Sequence, residues 1–289
     1  TRENITLADA INTALTAPTT ICPSESVTIS VATTSQATYT FYVGGTQQQE
    51  SSSATFTTTG ISRTSSVVIT ITNASGCSET VSTVINVVDL EDGGSITPTN
   101  STICMGGDSP SISNLVSATL EDYSSAASIT YFWEQSFDAV SWTTVAGTES
   151  SLAAAAVTGI VTTTYFRRGA EVVNGDSDSC EILYTIPITV NVEASITPTI
   201  SSSTGAFTFC VGDSPTFESQ TIPAGVVTYT WSYFNGTSTV TSTGTGTTTE
   251  VTIVANGYIQ LDILTAAGCE YTTRENITLA DAINTALTA

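Results

Sequence analysis

Histidine and lysine are absent from this 289-residue chain, methionine occurs once, and only 11% of its residues are charged. Without His or Lys, the commonest general base, most nucleophile–base pairs and Schiff-base chemistry are all missing. Lys–Asn isopeptide staples are excluded for the same reason. A carboxylate pair could still hydrolyse a glycoside, but no pair stands out, and solvated surface acids are the better reading. No enzyme is therefore expected. Five Arg face 26 carboxylates, for a net charge of −21. Such a surface lacks the basic footprint that nucleic acid requires, and anionic membrane surfaces are disfavoured too. No apolar run approaches the roughly 18 residues of a membrane span, so no direct membrane insertion is expected. No CxxC spacing or His is available for zinc, and the only helix-like run, residues 152–157, is too short to stand alone.

What remains is strand material. Forty per cent of the residues are hydrophobic and much of the polarity is Ser and Thr, a composition that suits a packed β-structure better than disorder. Short β-branched and aromatic runs alternate with Gly, Asn, Ser and Pro. In Tyr258–Leu264, Ile259, Leu261 and Ile263 share a face. Ile186, Ile188, Val190 and Val192 share another, with Pro187 opposite, which favours an edge strand. The run 237–249 reads as a polar, Thr-rich hairpin.

Six cysteines recur at regular intervals, and the surroundings of alternate ones align. Ile21-Cys22-Pro23, Ile103-Cys104-Met105 and Phe209-Cys210-Val211 open three units. Gly76-Cys77, Ser179-Cys180 and Gly268-Cys269 each precede a closing strand. Between them, Phe41, Trp133 and Trp231 occupy one equivalent position on an aromatic strand. Cys, core aromatic, Cys, over about seven short strands, is the outline of an immunoglobulin-like sandwich. The expected fold is all-β: three tandem immunoglobulin-like (PKD-like) β-sandwiches in an elongated array. The expected domains are 18–94, 95–194 and 195–289. Paired cysteines, one pair per domain, predict disulfides Cys22–Cys77, Cys104–Cys180 and Cys210–Cys269 in an oxidising compartment, with buried free thiols as the alternative. Because the second Cys follows a turn, such a bridge would pin a strand end rather than cross the sandwich centre.

The first seventeen residues, Thr1 to Ala17, recur letter for letter as Thr273 to Ala289. The chain thus reads as one period of 272 residues running into the next. Residues 1–17 are expected to be the last strand and linker of a preceding repeat, held by something outside this chain. Short Pro-containing junctions suggest a semi-rigid rod.

The middle unit carries Tyr131-Phe132-Trp133-Glu134-Gln135-Ser136-Phe137-Asp138, then Ser141-Trp142, then Thr163-Thr164-Tyr165-Phe166-Arg167-Arg168. It resembles the Ig-like repeats of Bacteroidota surface proteins, whose pattern is W-x-x-S-x-D-x-x-W followed by T-T-Y-Y-R-R. The outer units, of which the first carries Ile21-Cys22-Pro23 at its opening and Asn73-Ala74-Ser75-Gly76-Cys77 before its last strand and the third keeps Gly268-Cys269 there, resemble PKD-like repeats of the same giant proteins. The resemblance implies a large, type IX secreted, extracellular cell-surface protein similar to SprB-like gliding adhesins. It implies neighbouring identical repeats as partners, with lateral self-association a further option, and it brings no catalytic residue.

The remaining candidates are weaker. Asp89, Glu91 and Asp92 at a junction, and Asp176 and Asp178 in a loop, offer oxygen ligands for calcium, although ordinary acidic turns explain both. Otherwise no cofactor is expected. Arg167 and Arg168 read as an exposed, edge-protecting pair. Asn4, Asn73, Asn100, Asn235 and Asn276 begin Asn-x-Ser/Thr triplets, which arise freely in such a composition. Three functions follow: a structural stalk or filament repeat, a subunit polymerised by strand donation through residues 1–17, or a carbohydrate-binding array in which Trp142 stacks on sugars.

Overall fold

The computed structural model describes residues 10–121, 128–145, 147–174, 177–220, 225–244 and 246–280. Every regular element among them is a strand. The strands form two compact units. One holds the chain up to Thr99 together with Ser111–Ala156 and Tyr165–Ile188; the other holds Asn100–Pro110, Val157–Thr164 and the chain from Thr189 onward.

The first unit opens with a complete sandwich. Its strands are β1 (Leu15–Thr16), β2 (Thr20–Ile21), β3 (Val27–Val31), β4 (Thr38–Val43), β5 (Thr46–Ser51), β6 (Thr55–Thr58), β7 (Ser65–Thr72) and β8 (Ser78–Val87). One sheet runs β1-β3-β6 and the other β2-β8-β7-β4-β5. Period-two alternation places Val27, Ile29 and Val31 of β3 against Tyr39 and Phe41 of β4 and Val67, Ile69 and Ile71 of β7. Each such side chain contributes roughly 1.5–3 kcal/mol on burial. After Ala17-Pro18 the chain leaves the small sheet and returns as β2, parallel to β8. That switch of the first strand between sheets, with antiparallel pairing elsewhere, gives the immunoglobulin-like arrangement. Leu15 and Thr16, expected in the linker of a preceding repeat, pair instead with Val31 and Ser30, and Ile11, Leu15 and Ala17 pack on this core. Thr1–Asp9 lie outside the described residues.

After β9 (Leu90–Asp92) the pattern recurs with β10 (Ser95–Thr97), β11 (Asn100–Cys104), β12 (Ser113–Val116), β13 (Thr119–Leu120), β14 (Thr130–Ser136), β15 (Thr143–Val145), β16 (Thr164–Val173), β17 (Ser179–Tyr184) and β18 (Ile188–Glu193). In the first unit β10 pairs with β12, β14 lies between β15 and β16, and β17 adds to β16. In the second unit β11 runs parallel to β18. Pro98 sits between β10 and β11. Pro187 lies at the break between β17 and β18, not in an edge strand. The break undoes the expected shared face, leaving Ile186 exposed while Ile188 and Val190 are buried. Residues 152–157 form no helix; Leu152 bridges to Ile112.

The second unit carries another complete sandwich. Its strands are β19 (Ile200–Ser202), β20 (Thr208–Phe209), β21 (Thr216–Ser219), β22 (Val226–Phe234), β23 (Thr239–Gly244), β24 (Thr248–Glu250), β25 (Gly257–Thr265) and β26 (Glu270–Leu279). The sheets β19-β21-β24 and β20-β26-β25-β22-β23 repeat the first sandwich strand for strand. The Thr-rich run is not a hairpin: β23 pairs with β22 and β24 with β21, in opposite sheets. Phe41, Trp133 and Trp231 are each nearly inaccessible, on β4, β14 and β22. The chain is an all-β array of three immunoglobulin-like sandwiches.

Candidate functional site at the domain junctions

The parallel first strand decides where the cysteines lie. In the first sandwich Ile21 is level with Val87, and the next step of the ladder runs from the Val88 N–H to the Ile21 carbonyl. Cys22 therefore sits at the end of the sandwich where β8 finishes, whereas Cys77 sits where β8 begins. About eleven residues of extended strand separate those levels, on the order of 35 Å at ~3.3 Å per residue. A disulfide needs its Cα atoms within roughly 7 Å. The expected Cys22–Cys77 pairing is excluded by this register, and so are the other two: Cys104 is level with Glu193 on β18, and Phe209 is level with Leu279 on β26.

The bonds formed are Cys22–Cys180 and Cys104–Cys269, joining residues 158 and 165 apart in sequence. The opening cysteine of one sandwich is joined to the closing cysteine of the next. Cys77 and Cys210 are free and exposed. Disulfides belong to an oxidising compartment, so the chain is of extracellular type.

Around Cys22–Cys180, side chains from both sandwiches interlock within the first unit. The Glu25 carboxylate accepts the Cys22 N–H at 2.8 Å and the Asn174 amide at 3.1 Å. The Leu90 N–H donates to Glu181 at 3.2 Å. Val88, Leu90, Ala118, Ala170 and Val172 form a small apolar core of their own, with Leu183 and Cys180 packed on it. Burial, then a hydrogen bond with Asp89, push the Glu181 carboxyl above its ordinary range, with the charges of Asp89 and Glu121 acting the same way. Within the second unit, Thr265 donates to Glu193 at 3.1 Å and Tyr271 to the Ala194 carbonyl at 3.3 Å.

Arg168 is not an exposed edge residue. It is fully buried, and its guanidinium donates to Asn114 Oδ1 at 2.5 Å and to the carbonyls of Ser150, Gly93 and Val116 at 3.0, 2.9 and 3.1 Å. Its Cζ lies 4.6 Å from the Tyr131 ring centroid. Desolvation lowers its pKa. On a strand whose neighbouring residues alternate inward and outward, Arg168 falls on the inward face with Phe166 and Ala170; a buried arginine in that register was not legible from the Arg167-Arg168 pair alone. Arg167 points the other way. It pairs with Glu134 at 2.6 Å and lies 4.1 Å from the Trp142 ring and 3.6 Å from the Tyr184 ring. Trp142 is half-buried under that guanidinium and is not an open platform for sugars.

The calcium candidates do not converge. Asp92 accepts the Gly94 N–H, Glu91 accepts the Thr119 hydroxyl, and Asp89 accepts the Leu90 N–H. Asp178 is exposed, and Asp176 lies outside the described residues. No three His, Cys, Asp or Glu come together as a metal set among the described residues. No helix there is long and apolar enough to cross a membrane. Asp138 serves a turn: its carboxylate accepts the Val140 and Ser141 N–H groups and the Ser136 hydroxyl, which hold its pKa well below the usual range.

A family model described as a domain of unknown function (DUF8696) matches residues 92–194. No curated protein matches the chain. Among solved structures, the three N-terminal domains of the bacteriophage RB49 highly immunogenic outer capsid protein are 10% identical, with 94% of this chain and 100% of that chain covered and a TM-score of 0.42. The titin I-band fragment I67–I69 is 12% identical over 91% and 94%, with a TM-score of 0.41. A structure from a 1.5-MDa bacterial ice-binding adhesin is 12% identical over 95% and 100%, with a TM-score of 0.40.

Proposed function

We propose that this chain is a structural repeat, with a period of 272 residues, in a giant extracellular filament or adhesin stalk at a cell surface. The observation that carries the reading is the pair of junction disulfides. A bond between consecutive sandwiches adds little to the core of either one, but it limits how far the joint between them can open or bend. That is a mechanical property, useful in a stalk that holds a distal region away from its anchor. The repetition of Thr1–Ala17 as Thr273–Ala289 supports many such units in one chain, and the high negative charge keeps neighbouring stalks apart. Surface adhesion or gliding motility after type IX export is the role suggested by the resemblance to Bacteroidota repeats.

Strand donation is the weaker reading, because β26, which includes Thr273–Leu279, already closes its own sandwich. Reducing, denaturing electrophoresis of the native source, probed with an antibody to this repeat, separates the two. A band many times the mass of one repeat is expected. A ladder or a single band at one repeat's mass refutes the covalent stalk.

A further inference from the structure

The two free thiols are the two that the pairing rule leaves over. Both disulfides join an opening cysteine, at the exit end of a sandwich, to the closing cysteine at the entry end of the sandwich that follows. Cys210 is an opening cysteine with no sandwich after it in this chain. Cys77 is a closing cysteine with none before it. Were these thiols merely accidental, nothing would confine them to the first entry end and the last exit end.

Each also sits in the same local scaffold as a bonded counterpart. The Cys22 N–H donates to Glu25 three residues on, and the Glu25 N–H returns to the Cys22 carbonyl; the Cys210 N–H donates to Asp213 at 2.8 Å, and the Asp213 N–H returns to the Cys210 carbonyl at 3.2 Å. On the closing side, Asn73-Ala74-Ser75-Gly76-Cys77 and Thr265-Ala266-Ala267-Gly268-Cys269 make one turn. In both, the first residue's side chain accepts the cysteine N–H, its own N–H donates to the cysteine carbonyl, and the glycine has positive φ, 78° and 80°. Gly there lets the backbone adopt a conformation other residues resist. Cys269 is bonded in that turn; Cys77 is exposed in it.

We propose that Cys210 of one repeat forms a disulfide with Cys77 of the following copy of this sequence, so that every junction along the polymer is stapled. The partner is a second copy of this chain, and the proposal rests on the repeat reading above. Bond formation follows ordinary thiol–disulfide exchange. The thiolate of one cysteine attacks an oxidant of the disulfide class, small-molecule or protein, and expels one thiol. The second cysteine then attacks the mixed disulfide and expels the other. The two repeat thiols lose two electrons and two protons, and the oxidant disulfide becomes two thiols.

The test is a chain of two consecutive copies, produced in an oxidising compartment and mapped without reduction, using a protease that cleaves at carboxylates because Lys is absent. The expected result is a cross-linked peptide joining Cys210 of the first copy to Cys77 of the second, with two titratable thiols per chain rather than four. Cys210→Ser in the first copy should free the second copy's Cys77 and leave the circular dichroism spectrum unchanged, since Cys210 is exposed. Four thiols in the folded two-copy chain, or pairing of Cys77 or Cys210 within its own copy, overturns the proposal. That outcome is separate from a native protein of one repeat's mass, which would overturn the stalk reading instead.

Discussion

Replacing Arg168 by Met keeps the length of the side chain and removes a buried cation that has no carboxylate partner among its contacts. Four hydrogen bonds go: to Asn114, Ser150, Gly93 and Val116. Bonds to a charged donor contribute roughly 1.5–3 kcal/mol each, and a buried acceptor left alone costs about 1–3 kcal/mol. Against this, Met relieves the desolvation of the guanidinium, a penalty of several kcal/mol for a buried ion. Three of the acceptors are only partly buried and can take up water; the Gly93 carbonyl, whose bond is fully buried, cannot. The balance is a loss of about 3 kcal/mol. For a sandwich of this size, that lowers the midpoint of its thermal transition by roughly 12–24 °C. Tryptophan fluorescence reads the right domain, because Trp133 and Trp142 lie in the middle sandwich, Trp231 in the third and none in the first. Arg167→Met is the control: its ion pair with Glu134 is one-fifth exposed on the arginine side, and its loss should cost only ~1 kcal/mol. An Arg168→Met protein that melts within about 2 °C of the parent, or above it, refutes the reasoning. It would mean that desolvation cancels the four bonds, as replacement of buried ion pairs sometimes shows.

Three further outcomes follow from the same region. Gly94→Ala should destabilise by roughly 2–4 kcal/mol: its added Cβ would stand 2.3 Å from the Val116 carbonyl and 2.6 Å from Arg168 Nη2, at a φ of 75°; urea midpoints near the parent's would refute the packing around the guanidinium. Glu181, whose folded pKa is raised, contributes stability that is complete below its unfolded value of 4.5 and is lost as pH rises through the folded pKa. Glu181→Gln keeps an acceptor for Leu90 and should flatten that part of the urea-midpoint profile, so a profile identical to the parent's rules out the raised Glu181 pKa. Asp138 shows the opposite sign. Its lowered pKa gives stability present above the unfolded value of 3.8 and lost as pH falls through the folded value, and Asp138→Asn should remove that acid-side loss in the same titration.

The strands were legible because burial on one face of a sheet writes itself into the sequence with period two. Ile259, Leu261 and Ile263, and the aromatic triplet Phe41, Trp133 and Trp231, all lie in cores as the alternation requires. The three-unit organisation was legible in the recurring cysteine surroundings. Local pattern says nothing, however, about which end of a sandwich a residue occupies, and that is where the sequence reading of the cysteines failed.

Sequence alone thus determined the fold class, the count of sandwiches and the exclusion of His- and Lys-dependent chemistry, since these depend on composition and short-range periodicity. The tertiary structure decided the rest. The parallel pairing of β2 with β8, β11 with β18 and β20 with β26 sends the two cysteines of each sandwich to opposite ends, and the two bonds that form, Cys22–Cys180 and Cys104–Cys269, cross to a neighbour. The inward register of β16 likewise buries Arg168 among carbonyls contributed by segments up to 75 residues away. Both are contacts between chain segments far apart in sequence, and only folding brings them together.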